Sequence, residues 1–341
     1  MKTDNHFFRE AAAAPAVVES QLTENREAFA RLGQVLRQCA PRAVVTCARG
    51  SSDHAATYAR YLIETRLGLL ASSAAPSVSS VYATKTNLES VLFVAISQSG
   101  KSPDLLAAAL AARRAGAVVV ALVNAEGSPL ARAANHVIPL RAGMESAIAA
   151  TKSFIATLSA ILQLVASWKQ DDVLQDALGR LPDQLASAWR LDWDEAVDRL
   201  RSAQNLLVVG RGLGLGIAQE AALKLKETCG LHAEAFSSAE LRHGPVALVG
   251  RGFPVLAFAQ HDETRADVEM LVSELVALGA DAILAGSSVP GAVVLPSLSG
   301  NPAIEPLLLI QSFYRFVNVL AAARGRDPDR PPHLRKVTET V

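Results

Sequence analysis

Hydrophobic and polar positions along this chain are grouped in blocks. Short apolar runs at residues 43–48, 91–96, 118–123 and 136–140 each stop at a small or polar residue. Between them lie longer segments whose apolar residues recur at helical spacing. One such stripe is Val17, Val18, Leu22, Phe29, Leu32 and Leu36, within a helical stretch at 11–37 that is interrupted near Pro15. Apolar runs of four to eight residues bounded by turn residues read as buried strands, and the helical stripes would cover both faces of a parallel sheet. The pattern predicts an α/β chain.

The same succession returns about 160 residues later, a period that means two domains rather than a solenoid. Strands are expected at 206–209, 254–258, 281–284 and 292–295, with a helix at 217–228. Gly210-Arg211-Gly212 falls where Ala48-Arg49-Gly50 fell, and Gln260 falls on Gln98. Five segments follow: an N-terminal helical segment at 1–36, a first domain at 37–180, a helical connection at 181–200, a second domain at 201–324 and a polar, proline-containing tail at 325–341. The N-terminal helices could serve as a lid or a dimer arm.

The copies differ where ligands sit in such folds, at the C-terminal ends of strands. The first has Ser97-Gln98-Ser99-Gly100-Lys101-Ser102 between a strand and a helix; the second has Ala259-Gln260-His261-Asp262. A hydroxyl-rich turn leading into a helix N-terminus offers donors to an anion. Taken alone, it fits an anion cradle or a serine-capped turn equally well.

Composition narrows the class. Half of the 341 residues are hydrophobic and 33 basic residues balance 33 acidic ones. With no basic run, nothing calls for nucleic acid or an acidic membrane as partner. Residues 1–10 lack the apolar centre of a secretory signal, and no stretch of about 18 residues is apolar and uncharged. A cytoplasmic location is expected. Cys39, Cys47 and Cys229 suit neither a disulfide framework nor a zinc site, and the seven histidines include no HxxxH or HxH; no metal is expected. The glycine-rich turn at 210–216 lacks a well-placed acidic ribose partner, so no dinucleotide cofactor is expected either.

Candidate chemistry is concentrated in the second half. On the helix at 217–228, Glu220, Lys224 and Glu227 form one stripe opposite Ala218, Ala221, Ala222 and Leu225. The stripe is either a solvated charged face or a carboxylate positioned beside an ammonium. His243, in Glu240-Leu241-Arg242-His243-Gly244-Pro245, is expected in a connecting loop, where sites are common. Lys152, next to Thr151 at a helix start, is electrostatically misplaced unless an anion is near. Arg49 and Arg211 recur in both copies and are expected to make a structural bond at the strand end.

Together these segments resemble the sugar-isomerase (SIS) family, and more narrowly the isomerase half of glucosamine-6-phosphate synthase and its stand-alone relatives. The resemblance rests on Gly50-Ser51-Ser52, Ser97-Gln98-Ser99-Gly100, Ala149-Ala150-Thr151-Lys152, Ala222-Leu223-Lys224-Leu225-Lys226-Glu227, the Glu240–Pro245 motif and Leu334-Arg335-Lys336-Val337-Thr338. It implies two tandem SIS domains, each a doubly wound, flavodoxin-like parallel sheet flanked by helices. It implies that Ser52, Ser97, Gln98, Ser99 and Ser102 hold a sugar phosphate, with Ala149 and Lys152 also at the substrate. Glu227 would move a proton between C1 and C2, and Lys224 would orient it or bind a substrate hydroxyl. His243 would assist ring opening from the neighbouring subunit of a homodimer, with the site between the two repeats. Lys336 matches the tail lysine that forms a Schiff base with fructose 6-phosphate in the synthase.

The synthase carries an N-terminal glutaminase domain with a cysteine after Met1. Here Lys2 follows Met1 and Cys39 is the first cysteine. The expectation is therefore the reverse reaction, a SIS-type glucosamine-6-phosphate deaminase yielding fructose 6-phosphate and ammonia. Alternatives are a fructosamine-phosphate deglycase, another amino-sugar-phosphate isomerase or deaminase, a synthase subunit working with a separate glutaminase, and a non-catalytic sugar-phosphate sensor.

Overall fold

A computed structural model describes residues 4–336. In chain order the elements are α1 (His6–Ala12), α2 (Ala14–Glu24), α3 (Arg26–Cys39), β1 (Ala43–Cys47), α4 (Ser51–Leu67), β2 (Leu70–Ser73), α5 (Ser77–Ser80), β3 (Val91–Ser97), α6 (Pro103–Arg114), β4 (Val118–Val123), α7 (Pro129–Ala133), β5 (His136–Pro139) and α8 (Lys152–Lys169). Then come α9 (Asp172–Ala188), α10 (Asp194–Leu200), β6 (Asn205–Gly210), α11 (Gly214–Cys229), β7 (His232–Ser237), α12 (Ser238–Arg242), a 3-10 turn at Pro245–Leu248, β8 (Pro254–Phe258), α13 (Arg265–Ala277), β9 (Asp281–Ala285), β10 (Val293–Leu295) and α14 (Glu305–Ala323).

These elements form two α/β units. The N-unit holds residues 16–144, 152–179 and 335–336; the C-unit holds 4–15, 145–151 and 180–334. The N-unit sheet has strand order β2-β1-β3-β4-β5 and the C-unit sheet β10-β9-β8-β6-β7, every pair parallel. Matching β6 with β1 and β7 with β2 turns one order into the other, so the duplication seen in the sequence is a duplication of topology.

Each central strand is apolar because helices cover both faces. All seven residues of β3 are buried, and α6 and α7 pack over one face through Leu105, Ala109, Ala112 and Leu130. Helix α8 is buried almost all round, as a helix apolar on every side must be. It receives α3 through the buried Phe29, Leu32 and Leu36, so the stripe of the N-terminal helices is core. The contact is close: a Cβ on Gly33 would lie 2.6 Å from the Ser167 carbonyl oxygen. Pro15 lies in the first turn of α2, where its missing donor costs no bond, and the break falls at Ala13.

In the C-unit, α1 packs on α14. Helix α14 is long and apolar enough to cross a membrane, but 78% of it is buried in the fold. The edge strands β2 and β7 carry no apolar run to betray them: Leu-Ala-Ser-Ser and His-Ala-Glu-Ala-Phe-Ser.

Candidate active site

In the N-unit, β1 and β3 are neighbours, and the order 2-1-3-4-5 reverses between them. The crevice beyond their carboxyl ends is the switch point at which open α/β sheets bind ligands. Two turns meet there. One runs from β1 through Gly50 into α4, whose first turn carries Ser52. The other runs from β3 through Gln98–Ser102 into α6.

The second turn is folded by its own serines. Ser97 Oγ accepts from the Gly100 N–H at 3.0 Å, and Ser99 Oγ accepts from the Lys101 N–H at 3.3 Å. Two of the turn's backbone donors are thus already used, and the serine hydroxyl protons are what it presents. Gly100 has φ +62°, and a Cβ there would stand 2.1 Å from Ser128 Oγ, so only glycine fits. Ser102 occupies the N-cap position of α6, yet its side chain makes no capping bond; Gly50, ahead of α4, has no side chain to cap with. Both helices therefore start at the crevice without a side-chain cap. Arg49 donates to the buried Asp104 through Nε (2.9 Å) and Nη2 (2.8 Å), and Arg211 pairs with Asp267 at 3.2 Å. The repeated arginine is the strand-end clasp expected of it. Lys152 is buried at the start of α8 and donates to the Met144 carbonyl at 2.6 Å. Ala149 is fully buried.

The C-unit holds the other group. The stripe on α11 is no solvated face: Glu220 and Lys224 are completely buried. Lys224 Nζ lies 3.3 Å from Glu220 Oε1 and 2.5 Å from Glu227 Oε2, and the buried Tyr314 hydroxyl donates to Glu220 Oε1 at 3.2 Å. Burial works against the Lys224 charge, but the two carboxylates outweigh it and raise its pKa above the ordinary lysine value. Burial lifts the Tyr314 hydroxyl well above its usual range, and Glu220 adds to this, so it stays a neutral donor.

Glu227 is the one member of this trio that reaches solvent, its side chain 17% exposed. It opens into a cavity of about 710 Å³ lined also by Lys226, Arg326, Asp327, Arg330 and His333. Among the described residues, no hydrogen bond engages Glu227 Oε1. Because α11 runs antiparallel to the strands, its last turn and Glu227 lie at the edge where the strands begin. His243 follows α12 at the opposite edge, beyond the C-terminal end of β7, and is exposed. Six residues of β7 separate the two edges by roughly 20 Å. The segment expected as a loop there is the short helix α12, capped by Ser237. Lys336 is half-buried; Val337 and Thr338 of the tail motif lie outside the described residues. Burial pushes the Cys47 and Cys229 thiols up to about 12, which holds both in the protonated form.

The structure thus brings Ser52, Ser97, Gln98, Ser99 and Ser102 together in one unit, and Lys224 with Glu227 in the other. Sequence reasoning missed Tyr314 and the tail residues around Glu227. Glu220, four residues before Lys224, was visible as part of the stripe but not as a buried partner.

The chain belongs to the SIS domain family, whose model matches residues 38–167 and 199–288. The glutamine–fructose-6-phosphate aminotransferase (isomerizing) of Methanothermobacter thermautotrophicus is 33% identical over 98% of this chain and 57% of its own length. A chain from Silicibacter pomeroyi DSS-3, described as a candidate phosphosugar isomerase, is 44% identical with a TM-score of 0.91, over 95% of this chain and 99% of that one. The C-terminal domain of glucosamine-fructose-6-phosphate aminotransferase from Francisella tularensis is 25% identical with a TM-score of 0.85, over 96% and 98%. The chain spans about half the length of the curated relatives it matches.

Proposed function

We propose that the chain is an amino-sugar-phosphate isomerase that converts glucosamine 6-phosphate to fructose 6-phosphate and ammonia. The observation that carries this reading is Glu227: a buried ammonium holds one of its carboxylate oxygens while the side chain opens into a cavity large enough for a sugar. The relatives' names support the substrate class, and the serine-rich crevice supports a phosphate as the anchor.

In this reading the 6-phosphate is held by the hydroxyls of Ser52, Ser97, Ser99 and Ser102, by the Gln98 amide and by the uncapped starts of α4 and α6. Lys152 is engaged with the Met144 carbonyl and Ala149 is fully buried, so neither is given a contact to the substrate in this reading. Glu227 takes the proton from C2 of the open-chain sugar and returns it to C1, and with one further proton taken up at O1 the aldehyde and amine become a hydroxymethyl group and an iminium. Lys224 fixes the Glu227 rotamer. Water adds at C2, ammonia leaves and the ketone remains. Solvent water in large excess over ammonia drives the last step towards fructose 6-phosphate. No metal or redox cofactor enters this sequence. A Schiff base on Lys336 is compatible with it but not required, because an imine already forms on the substrate's own nitrogen.

His243 is too far from Glu227 of its own chain to act with it, so its part in ring opening is assigned to a second copy of the chain in a homodimer. A second reading has its own observation. Lys226, Arg326 and Arg330 outnumber Glu227 and Asp327 around the cavity, which suits an amino-sugar phosphate whose nitrogen bears an acidic group, the substrate of a deglycase.

The test is a coupled assay for ammonia and fructose 6-phosphate on glucosamine 6-phosphate, with Glu227→Gln alongside and a fructosamine phosphate of an amino acid as second substrate. Wild-type turnover lost by 10²-fold or more in Glu227→Gln is expected. No ammonia release, or an unaffected variant, refutes the assignment; turnover of the second substrate alone transfers it to the deglycase.

A further inference from the structure

We infer that His333 is a second acid–base group of this site, supplied by the same chain as Glu227. The inference rests on the proposed reading of Glu227 as the carbon base and adds the group that serves the sugar oxygen.

Three observations converge on it. His333 lines the cavity into which Glu227 opens, and it is the sole histidine among the lining residues. Its backbone is left-handed, φ +66°, a conformation uncommon outside glycine that is concentrated at functional sites. Two prolines, Pro331 and Pro332, stand directly before it and limit the conformations of the approaching chain. Pro331 is buried while His333 is exposed to the cavity, so the tail is anchored immediately before the imidazole. His243, by contrast, stands at the far edge of the sheet in this chain.

The reaction needs such a group. When Glu227 removes the C2 proton, the C1=O π electrons move onto O1, and that oxygen needs a proton as the C1–C2 double bond forms. Protonated imidazole of His333 gives it, leaving a neutral enolamine, protonated Glu227 and neutral His333. Glu227 then returns its proton to C1, and the nitrogen lone pair makes the C2 iminium. Water attacks C2 and its proton passes to His333, which restores the imidazolium. The carbinolamine collapses to ketone and ammonia as a proton moves from the 2-hydroxyl to nitrogen. One water enters, one ammonia leaves, and both side chains end as they began. Imidazole is the side chain whose ordinary pKa lets it give and take protons near neutrality.

The discriminating variant is His333→Asn, because asparagine accepts the left-handed backbone but cannot shuttle a proton. The expected result is a kcat lower by about 10²–10⁴-fold with KM within a few-fold. The pH–rate profile should lose its limb near neutrality, and solvent deuterium should enter C1 of fructose 6-phosphate more slowly. Independently of turnover, fructose 6-phosphate added to the wild type should shift one imidazole signal in the ¹H–¹⁵N spectrum, the one absent from His333→Asn. A variant within about three-fold of wild type with the same pH profile overturns the role of His333 and leaves that of Glu227 standing. A wild type that releases no ammonia overturns the reading of Glu227, and an unshifted His333 signal in saturating fructose 6-phosphate overturns the placement of His333 at the sugar.

Discussion

Replacing Lys224 with methionine removes the charge between two carboxylates while nearly conserving side-chain length. In the native protein Nζ lies 3.3 Å from Glu220 and 2.5 Å from Glu227, with Glu220 fully buried. Without it, two negative groups face each other within about 6 Å, a repulsion of about 3 kcal/mol at an effective dielectric constant near 20. That agrees with the ~3–5 kcal/mol usually lost when one partner of a buried pair is removed. In the variant the folded-state pKa values of the carboxylates rise above the unfolded value of about 4.3. The penalty is therefore small once they are protonated and grows as pH rises through the folded values. In the wild type, the raised pKa of Lys224 means that its contribution is fully present below about 10.4 and is lost only as pH rises through the folded value. Urea unfolding followed by circular dichroism should accordingly show a wild-type-to-variant gap that is wider at pH 8 than at pH 5. Adding Glu220→Gln to Lys224→Met should recover part of it. A gap under ~1 kcal/mol at pH 8, or one that ignores pH, would refute the view of the trio as one electrostatic unit.

Two further outcomes are expected. Gly100→Ala should cost about 1–3 kcal/mol and raise KM for the sugar phosphate, because its Cβ would collide with Ser128 and the φ of +62° is strained for alanine; an unchanged KM and melting temperature would show that the turn tolerates a side chain. Mixing Glu227→Gln with His243→Ala after joint unfolding and refolding should restore about a quarter of the wild-type activity, if mixed dimers form statistically and each keeps one intact site. No gain over the two separate variants would place His243 outside the reaction.

The course of the chain was largely written in its apolar runs. The strands that lie inside the sheets, β1, β3, β4, β6, β8 and β9, are apolar because both faces are covered, and that leaves a mark in any sequence. Edge strands β2 and β7 have no such requirement, so four or six mixed residues gave no signal. The duplication was legible because two copies of one topology need their turns and strands at one spacing. The serine turn was legible as an anion site or a cap, and that Ser102 makes no side-chain bond to the start of α6 is a tertiary fact.

For Glu227 the division is sharper. Sequence alone determined that Glu220, Lys224 and Glu227 share one helical stripe, since helical periodicity is local. It did not determine whether water or protein faces that stripe. The packing of α14, which places Tyr314 against Glu220, decided that the stripe is buried. The tail folding back to residue 334 decided that Glu227 opens into a cavity and that His333 stands in it. Residues 94 or 106 positions apart along the chain become neighbours only through the fold, because burial and long-range contact are properties of the whole structure.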